Sequence, residues 1–224
     1  MTTPPRITRT TAPPAAGMVH LGPGAFFRAF IAPYTDEAMG AGSVNGGDWG
    51  IIAVSLKSPT AREALVPQGC VYTALERGPD GDTSRQVEAI TDVLVAPEDP
   101  LAVLDTMARP EIRVVSLTIT EKGYCHNPRN GSLRTDHPDV AHDIATSDAP
   151  RTALGFLVLA LSRRREAGIP PFTVLCCDNL PANGEMLRRL VTELAGQRDS
   201  AGTSDGLANW IETHVAFPST MVDR

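Results

Sequence analysis

Two glycines set one residue apart, just past an apolar run, constrain this chain more than any other feature. The run Gly17-Met18-Val19-His20-Leu21 reads as a buried strand, and Gly22-Pro23-Gly24 closes it. Ala25 to Met39 then reads as a helix that Pro33 kinks or divides. A glycine-rich turn between a strand and a helix lets the backbone approach a phosphate closely. The helix N-terminus adds N–H groups and a partial positive charge directed at that anion. This is the first turn of a dinucleotide-binding α/β fold. The third glycine of G-x-G-x-x-G is missing, because Phe27 stands in its place. On spacing alone two readings stay open: a phosphate cradle and a tight structural turn.

The rest of the chain alternates strands and helices. Residues 1–16, rich in Thr and Pro, read as a flexible or loosely packed lead-in, with one domain over 17–224. Ala41 to Asp48 is a loop, Trp49 to Ser55 a second strand, and Pro59 starts a short helix over Thr60 to Val66. Cys70 to Glu76 and Arg85 to Val95 read as an antiparallel pair around Gly78-Pro79-Asp80-Gly81. That hairpin predicts a sheet that is not purely parallel. Further helices are predicted over Glu98 to Ala108, Asp139 to Ala145, Arg151 to Ala167, Asn183 to Gln197 and Leu207 to Val215. Ile112 to Thr120 and Phe172 to Cys177 are the remaining strands, and Asn130-Gly131 turns the polar stretch between them. The fold class is α/β: a Rossmann-type, doubly wound, mainly parallel sheet with an antiparallel hairpin insertion.

Composition excludes several classes. A net charge of −6 argues against a nucleic-acid partner. No apolar run is long enough to span a bilayer, so no membrane association is expected. Cys70, Cys125, Cys176 and Cys177 show neither a disulfide framework nor a metal-binding spacing. Cys125-His126 is too sparse for a metal site. A reducing cytoplasm is the expected compartment.

In an open α/β sheet, ligands bind at the carboxyl ends of the strands. Three such ends carry chemistry: Gly22 and Gly24; Thr118, Thr120, Glu121 and Lys122; and Asp178-Asn179-Leu180-Pro181-Ala182-Asn183-Gly184. Each has a plainer reading. Asn179 and Asn183 can shape or cap a helix, Glu121 and Lys122 can be a solvated pair, and His20 reads as a core histidine bonded to backbone.

These stretches together resemble a known family. The residues that carry the likeness are Leu21-Gly22-Pro23-Gly24-Ala25-Phe26-Phe27-Arg28-Ala29, Tyr34-Thr35-Asp36, Asp48-Trp49-Gly50, Ser116 to Cys125, Cys177 to Gly184 and Phe217 to Arg224. They resemble the mannitol dehydrogenase family of long-chain, metal-independent polyol dehydrogenases, which includes fructuronate and tagaturonate reductases. The resemblance implies an NAD-binding domain, followed in family members by a mostly helical C-terminal domain bearing the catalytic lysine with an asparagine and a histidine near it. It implies that Asn179 hydrogen-bonds the reacting oxygen and that Asp223 lines the active site near the cofactor. It also implies that Glu121 joins a proton path. Phe27 and Phe30 stand where the family usually has His.

The candidate cofactor contacts are Gly22, Gly24, Ala25, Phe26 and Arg28 at the turn, Thr60 after the second strand, and Thr120 and Glu121 at the central strand's end. The implied function is NAD-dependent interconversion of a mannitol-like polyol and its keto-sugar. The alternatives are a hexuronate reductase and a catalytically silent NAD-binding fragment. The second strand ends in Ser55-Leu56-Lys57-Ser58-Pro59-Thr60-Ala61-Arg62 without the acid that usually holds the ribose. Lys57 and Arg62 can pair with a phosphate, so NADP tolerance is expected. Otherwise both face solvent and Ser58 or Thr60 holds the ribose.

Overall fold

The structure, a computed structural model, describes residues 7–40, 48–79 and 81–222. The first strand, β1 (Ala16–Leu21), lies at the centre of a five-stranded sheet. On one side it pairs with β2 (Gly50–Ser55), which pairs with β5 (Ile90–Val95). On the other it pairs with β6 (Val114–Leu117), which pairs with β7 (Thr173–Cys176). All four pairings are parallel. Alternation along the strands explains burial on both faces: Ile51 and Ala53 join one apolar cluster, Ile52 and Val54 the other.

The expected hairpin exists, but it leaves the main sheet parallel. Strands β3 (Tyr72–Gly78) and β4 (Gly81–Val87) pair with each other in a separate two-stranded sheet. The run Arg85 to Val95, read as one strand, is two. Its first part closes the hairpin, and Ile90–Val95 turns into the main sheet beside β2. Hairpin residues are mostly exposed while Ile90 and Val93 are buried, so burial divides a run that β-propensity joins. Asp80, within the expected turn, lies outside the described residues, as do residues 41–47 of the expected loop.

Helices cover both faces. The first helical stretch contains a π-turn, Phe27–Ile31, followed by α1 (Ala32–Gly40). Pro33 neither breaks nor divides this stretch; the helix widens into the π-turn just before it, with the Ala32 N–H donating to the Phe27 carbonyl. The short α2 (Thr60–Leu65) follows β2, and α3 (Pro100–Ala108) starts at Asp99, whose carboxylate caps the Ala102 N–H. On the far side of the sheet order are α4 (Pro138–Ala145), α5 (Ala153–Glu166), α6 (Asn183–Ser200) and α7 (Leu207–His214). Helix α5 is buried from Ala153 through Leu161, which explains its lack of a polar face there.

Two buried arginines act as staples. Arg164 donates to the carbonyls of Met107, Arg109 and Pro170; Arg198 donates to those of Asp143, Ile144 and Thr146. Met107 lies in the last turn of α3 and Asp143 and Ile144 in that of α4, where the helix ladder leaves carbonyls without partners. The lead-in also differs from a loose segment where it is described. Arg9 donates to the carbonyls of Gly69, Glu88 and Ile90, tying residue 9 to the edge of the hairpin.

Candidate functional site

The strand order β5-β2-β1-β6-β7 places the switch in winding direction between β1 and β6. Ligand crevices in such sheets open at that point, outside the carboxyl ends. The glycine turn sits there. Gly22 has φ +92°, and a Cβ on it would overlap the Thr118 carbonyl oxygen. Its N–H donates to the Val54 carbonyl at 2.9 Å, so the turn fits between β2 and β6. Gly22 is therefore a structural requirement. Gly24 is different. It is exposed, and the nearest heavy atom to an added Cβ is the Gly22 oxygen at 3.9 Å. Its side-chain direction is open space at the head of the helix. The N–H groups of Ala25, Phe26 and Phe27 open that helix, where the ladder supplies them no carbonyl. This arrangement fits a dinucleotide pyrophosphate.

Phe27 shows what replaces the third glycine. Its ring is fully buried and stacks on His20, with centroids 3.9 Å apart and planes 12° from parallel. A glycine there lets helix and strand touch; here an aromatic layer fills the space, and the π-turn starts at this residue. His20 Nδ1 lies 2.8 Å from the Ser116 hydroxyl, and Nε2 lies 2.8 Å from Thr118 Oγ1 and 3.2 Å from the Gly22 carbonyl. A carbonyl only accepts, so Nε2 carries the proton and Nδ1 accepts from Ser116. Burial lowers the His20 pKa from 6.5 to about 3, so the ring stays neutral. His20 is a core residue, as its sequence context predicts.

The ends of β6 and β7 are joined by a half-buried carboxylate. Asp178 accepts from the Ile119 N–H at 2.9 Å, the Thr120 N–H at 3.2 Å and the Tyr124 hydroxyl at 2.6 Å. Thr120 takes φ +65°, ψ 160°, a conformation that costs a side-chain-bearing residue about 1–3 kcal/mol. The Asp178 bonds hold it there. This explains why β6 stops at Leu117 rather than Thr120. Asn183 does not cap α6. It is buried, and its amide nitrogen lies 2.9 Å from Thr220 Oγ1 and 3.0 Å from the Asp178 carbonyl, while its oxygen accepts from the Thr220 N–H at 3.0 Å. It locks the β7 end to residues 217–220.

Asn179 is exposed beside this lock at the crevice rim. Thr120 and Glu121 are exposed at the β6 end, with Glu121 Oε1 3.8 Å from His126 Nε2. Arg28 bonds back to the Gly24 carbonyl at 3.3 Å. Thr60 is exposed at the start of α2, its hydroxyl 3.2 Å from that of Ser58. Asp223 lies outside the described residues. Arg62 donates both Nη1 and Nη2 to Glu98, at 2.6 and 3.0 Å. The sequence reading missed Glu98 and the joining role of Asp178, since 36 and 59 residues separate the respective partners. Only the Asp-Asn pair after an apolar strand marked Asp178 as a candidate at all. Burial raises the pKa of all four cysteine thiols, Cys70 to about 11 and Cys177 to about 12, so none is an activated nucleophile at neutral pH.

Residues 16–224 match the family described as the mannitol dehydrogenase Rossmann domain. The chain belongs to the mannitol dehydrogenase family. It is 46% identical over 209 residues to the uncharacterized oxidoreductase YeiQ of Escherichia coli, covering 92% of this chain and 41% of that protein. It is 43% identical to mannitol 2-dehydrogenase of Pyrenophora tritici-repentis, covering 93% of this chain and 36% of the relative. The solved ternary complex of Pseudomonas fluorescens mannitol 2-dehydrogenase with NAD and D-mannitol superposes with TM-score 0.84 at 42% identity, covering 91% of this chain and 41% of that one. A substrate-free D-sorbitol dehydrogenase gives 0.85 at 39%, covering 93% and 42%. The chain thus spans about two fifths of the length of these relatives. Among the described residues, no helix is long and apolar enough to cross a membrane.

Proposed function

We propose that this chain is the NAD-binding part of an oxidoreductase that interconverts a sugar alcohol and its ketose. The observation that carries the reading is the open Cβ direction of Gly24 at the head of the first helix, at the switch point of a parallel sheet. Relatives that act on mannitol and sorbitol, one of them solved with NAD and D-mannitol, support the polyol assignment.

Bound NAD supplies the hydride acceptor. The Ala25 and Phe26 N–H groups and the helix dipole hold its pyrophosphate. Asn179 donates a hydrogen bond to the reacting oxygen, stabilising the charge that develops as the alcohol loses its proton. The family resemblance assigns Asp223 to the same site, and Thr120 and Glu121 border it at the β6 end. The proton acceptor is a lysine from the stretch of the relatives that this chain does not span. Lys122 does not serve, since it is exposed on the short 3-10 turn Glu121–Tyr124 and matches no such family position. The stripe of half-buried Phe26 and exposed Phe30 and Tyr34 runs along the first helix from the glycine turn, with ring centroids 4.9 and 6.3 Å apart, and offers an apolar face to that further part.

Titration of NADH fluorescence tests the cofactor assignment. Gly24→Val places a branched side chain in the pyrophosphate position, so affinity drops at least about tenfold. Equal affinities in wild type and variant remove the assignment. In the full-length protein, Asn179→Ala lowers kcat for mannitol oxidation by about a hundredfold or more.

A further inference from the structure

The end of β2 lacks the carboxylate that usually selects NAD in this kind of sheet, but the segment that follows the neighbouring strand β5 carries one, Glu98. Ser55, the last residue of β2, is paired with Val95, the last of β5, and the Ala96 N–H donates to the Ser55 carbonyl at 2.9 Å. Glu98 stands three residues beyond that shared edge. Its two oxygens take the Arg62 guanidinium as a fork, at 2.6 and 3.0 Å. The Gly22 N–H bonds the Val54 carbonyl, so β2 is the one strand between the glycine turn and the β5 end that precedes Glu98. The loop between them is shaped by Ser55 Oγ on the Ser58 carbonyl at 2.6 Å and by the Ser58–Thr60 hydroxyl pair.

We propose that Glu98 is the specificity-determining acid of this site, selecting a dinucleotide with a free ribose 2′-hydroxyl and rejecting one with a 2′-phosphate. The proposal rests on the NAD-binding reading above. Two properties of the pair carry it. A carboxylate has about four acceptor positions, so Glu98 holds Arg62 and still accepts from a ribose hydroxyl. Arg62, the third residue of α2, has its fork already filled and is not offered to a phosphate. Of the four charged groups along this edge, Lys57, Arg62, Glu63 and Glu98 sum to zero, and loss of Glu98 leaves a net positive charge beside the 2′-position. As a contributor to stability the pair is minor, since both side chains are more than one-third exposed, at 37% and 49%. A role confined to stability therefore predicts no change in cofactor preference.

The test compares NADH and NADPH dissociation constants by fluorescence for the wild-type chain, Glu98→Gln and Glu98→Gln/Arg62→Ala, with a thermal melt of each. Wild type is expected to favour NADH. Glu98→Gln should tighten NADPH by about tenfold and weaken NADH severalfold, at an unchanged melting temperature. The double variant should lose the NADPH gain, because that gain comes from the released guanidinium. A wild type that binds NADH while Glu98→Gln leaves the NADPH:NADH ratio unaltered overturns this proposal and leaves the NAD-binding reading intact. A wild type that binds neither dinucleotide overturns both.

Discussion

The carboxyl end of β1 and the joined ends of β6 and β7 face the same crevice and are built in opposite ways. The first is defined by missing side chains. Gly22 gives room to the Thr118 carbonyl, and Gly24 leaves space for a ligand. The second is defined by polar groups that are fully used: Asp178 serves two backbone N–H groups and a tyrosine, and Asn183 bonds Thr220 through both its amide nitrogen and its oxygen. His20 connects the two, touching the Gly22 carbonyl and the Thr118 hydroxyl with one nitrogen. A crevice needs one wall that yields space and one that does not move, and the chain assigns these tasks to different chemistry.

The largest effects should come from filling space that is not there and from emptying the rigid wall. Gly22→Ala forces a side chain into a positive-φ position against the Thr118 carbonyl, which should cost about 3 kcal/mol or more, read from the urea midpoint. A midpoint equal to that of wild type would show that the two walls can separate. Asn183→Ala empties a buried position and leaves several half-buried partners unsatisfied, and should cost about 3 kcal/mol in the same measurement. Asp178→Asn keeps the shape but removes the charge on which two N–H groups and the Tyr124 hydroxyl converge. It should cost about 2 kcal/mol, with faster hydrogen exchange at Ile119 and Thr120. Unchanged exchange would mean that Thr120 is held by something other than Asp178.

His20 sets a pH dependence shared by both walls. Its folded pKa, about 3, lies below its unfolded value of 6.5, so the folded state binds fewer protons between those limits. Stability is fully present above pH 6.5 and falls by about 1.4 kcal/mol for each unit as the pH drops through that window. Below pH 3 no further loss comes from this residue. His20→Gln should flatten the slope, and an identical slope in the variant would assign the acid sensitivity elsewhere. The smallest effect is the sharpest contrast with Gly22: Gly24→Val should leave stability within about 0.5 kcal/mol of wild type while cofactor affinity collapses. Loss of both together would make the two glycines equivalent, and the distinction drawn between them would fail.

Local rules decided much of this protein from the sequence. Strand and helix types follow from apolar periodicity, the head of the first helix from the glycine turn, and the stop of α5 from Gly168, which takes φ +67°. Gly22, Gly24, Thr120 and Asn179 fall just past strand ends because each follows an apolar run. The tertiary structure alone decided which strand ends meet. It moved Ile90–Val95 from the hairpin into the parallel sheet, gave Asn183 to Thr220 rather than to its own helix, and set Glu98 against Arg62. The physical reason is range. Backbone propensity and periodicity act over a few residues, whereas burial and hydrogen-bond satisfaction are settled between segments 36 to 59 residues apart in the chain, where no local pattern records the partner.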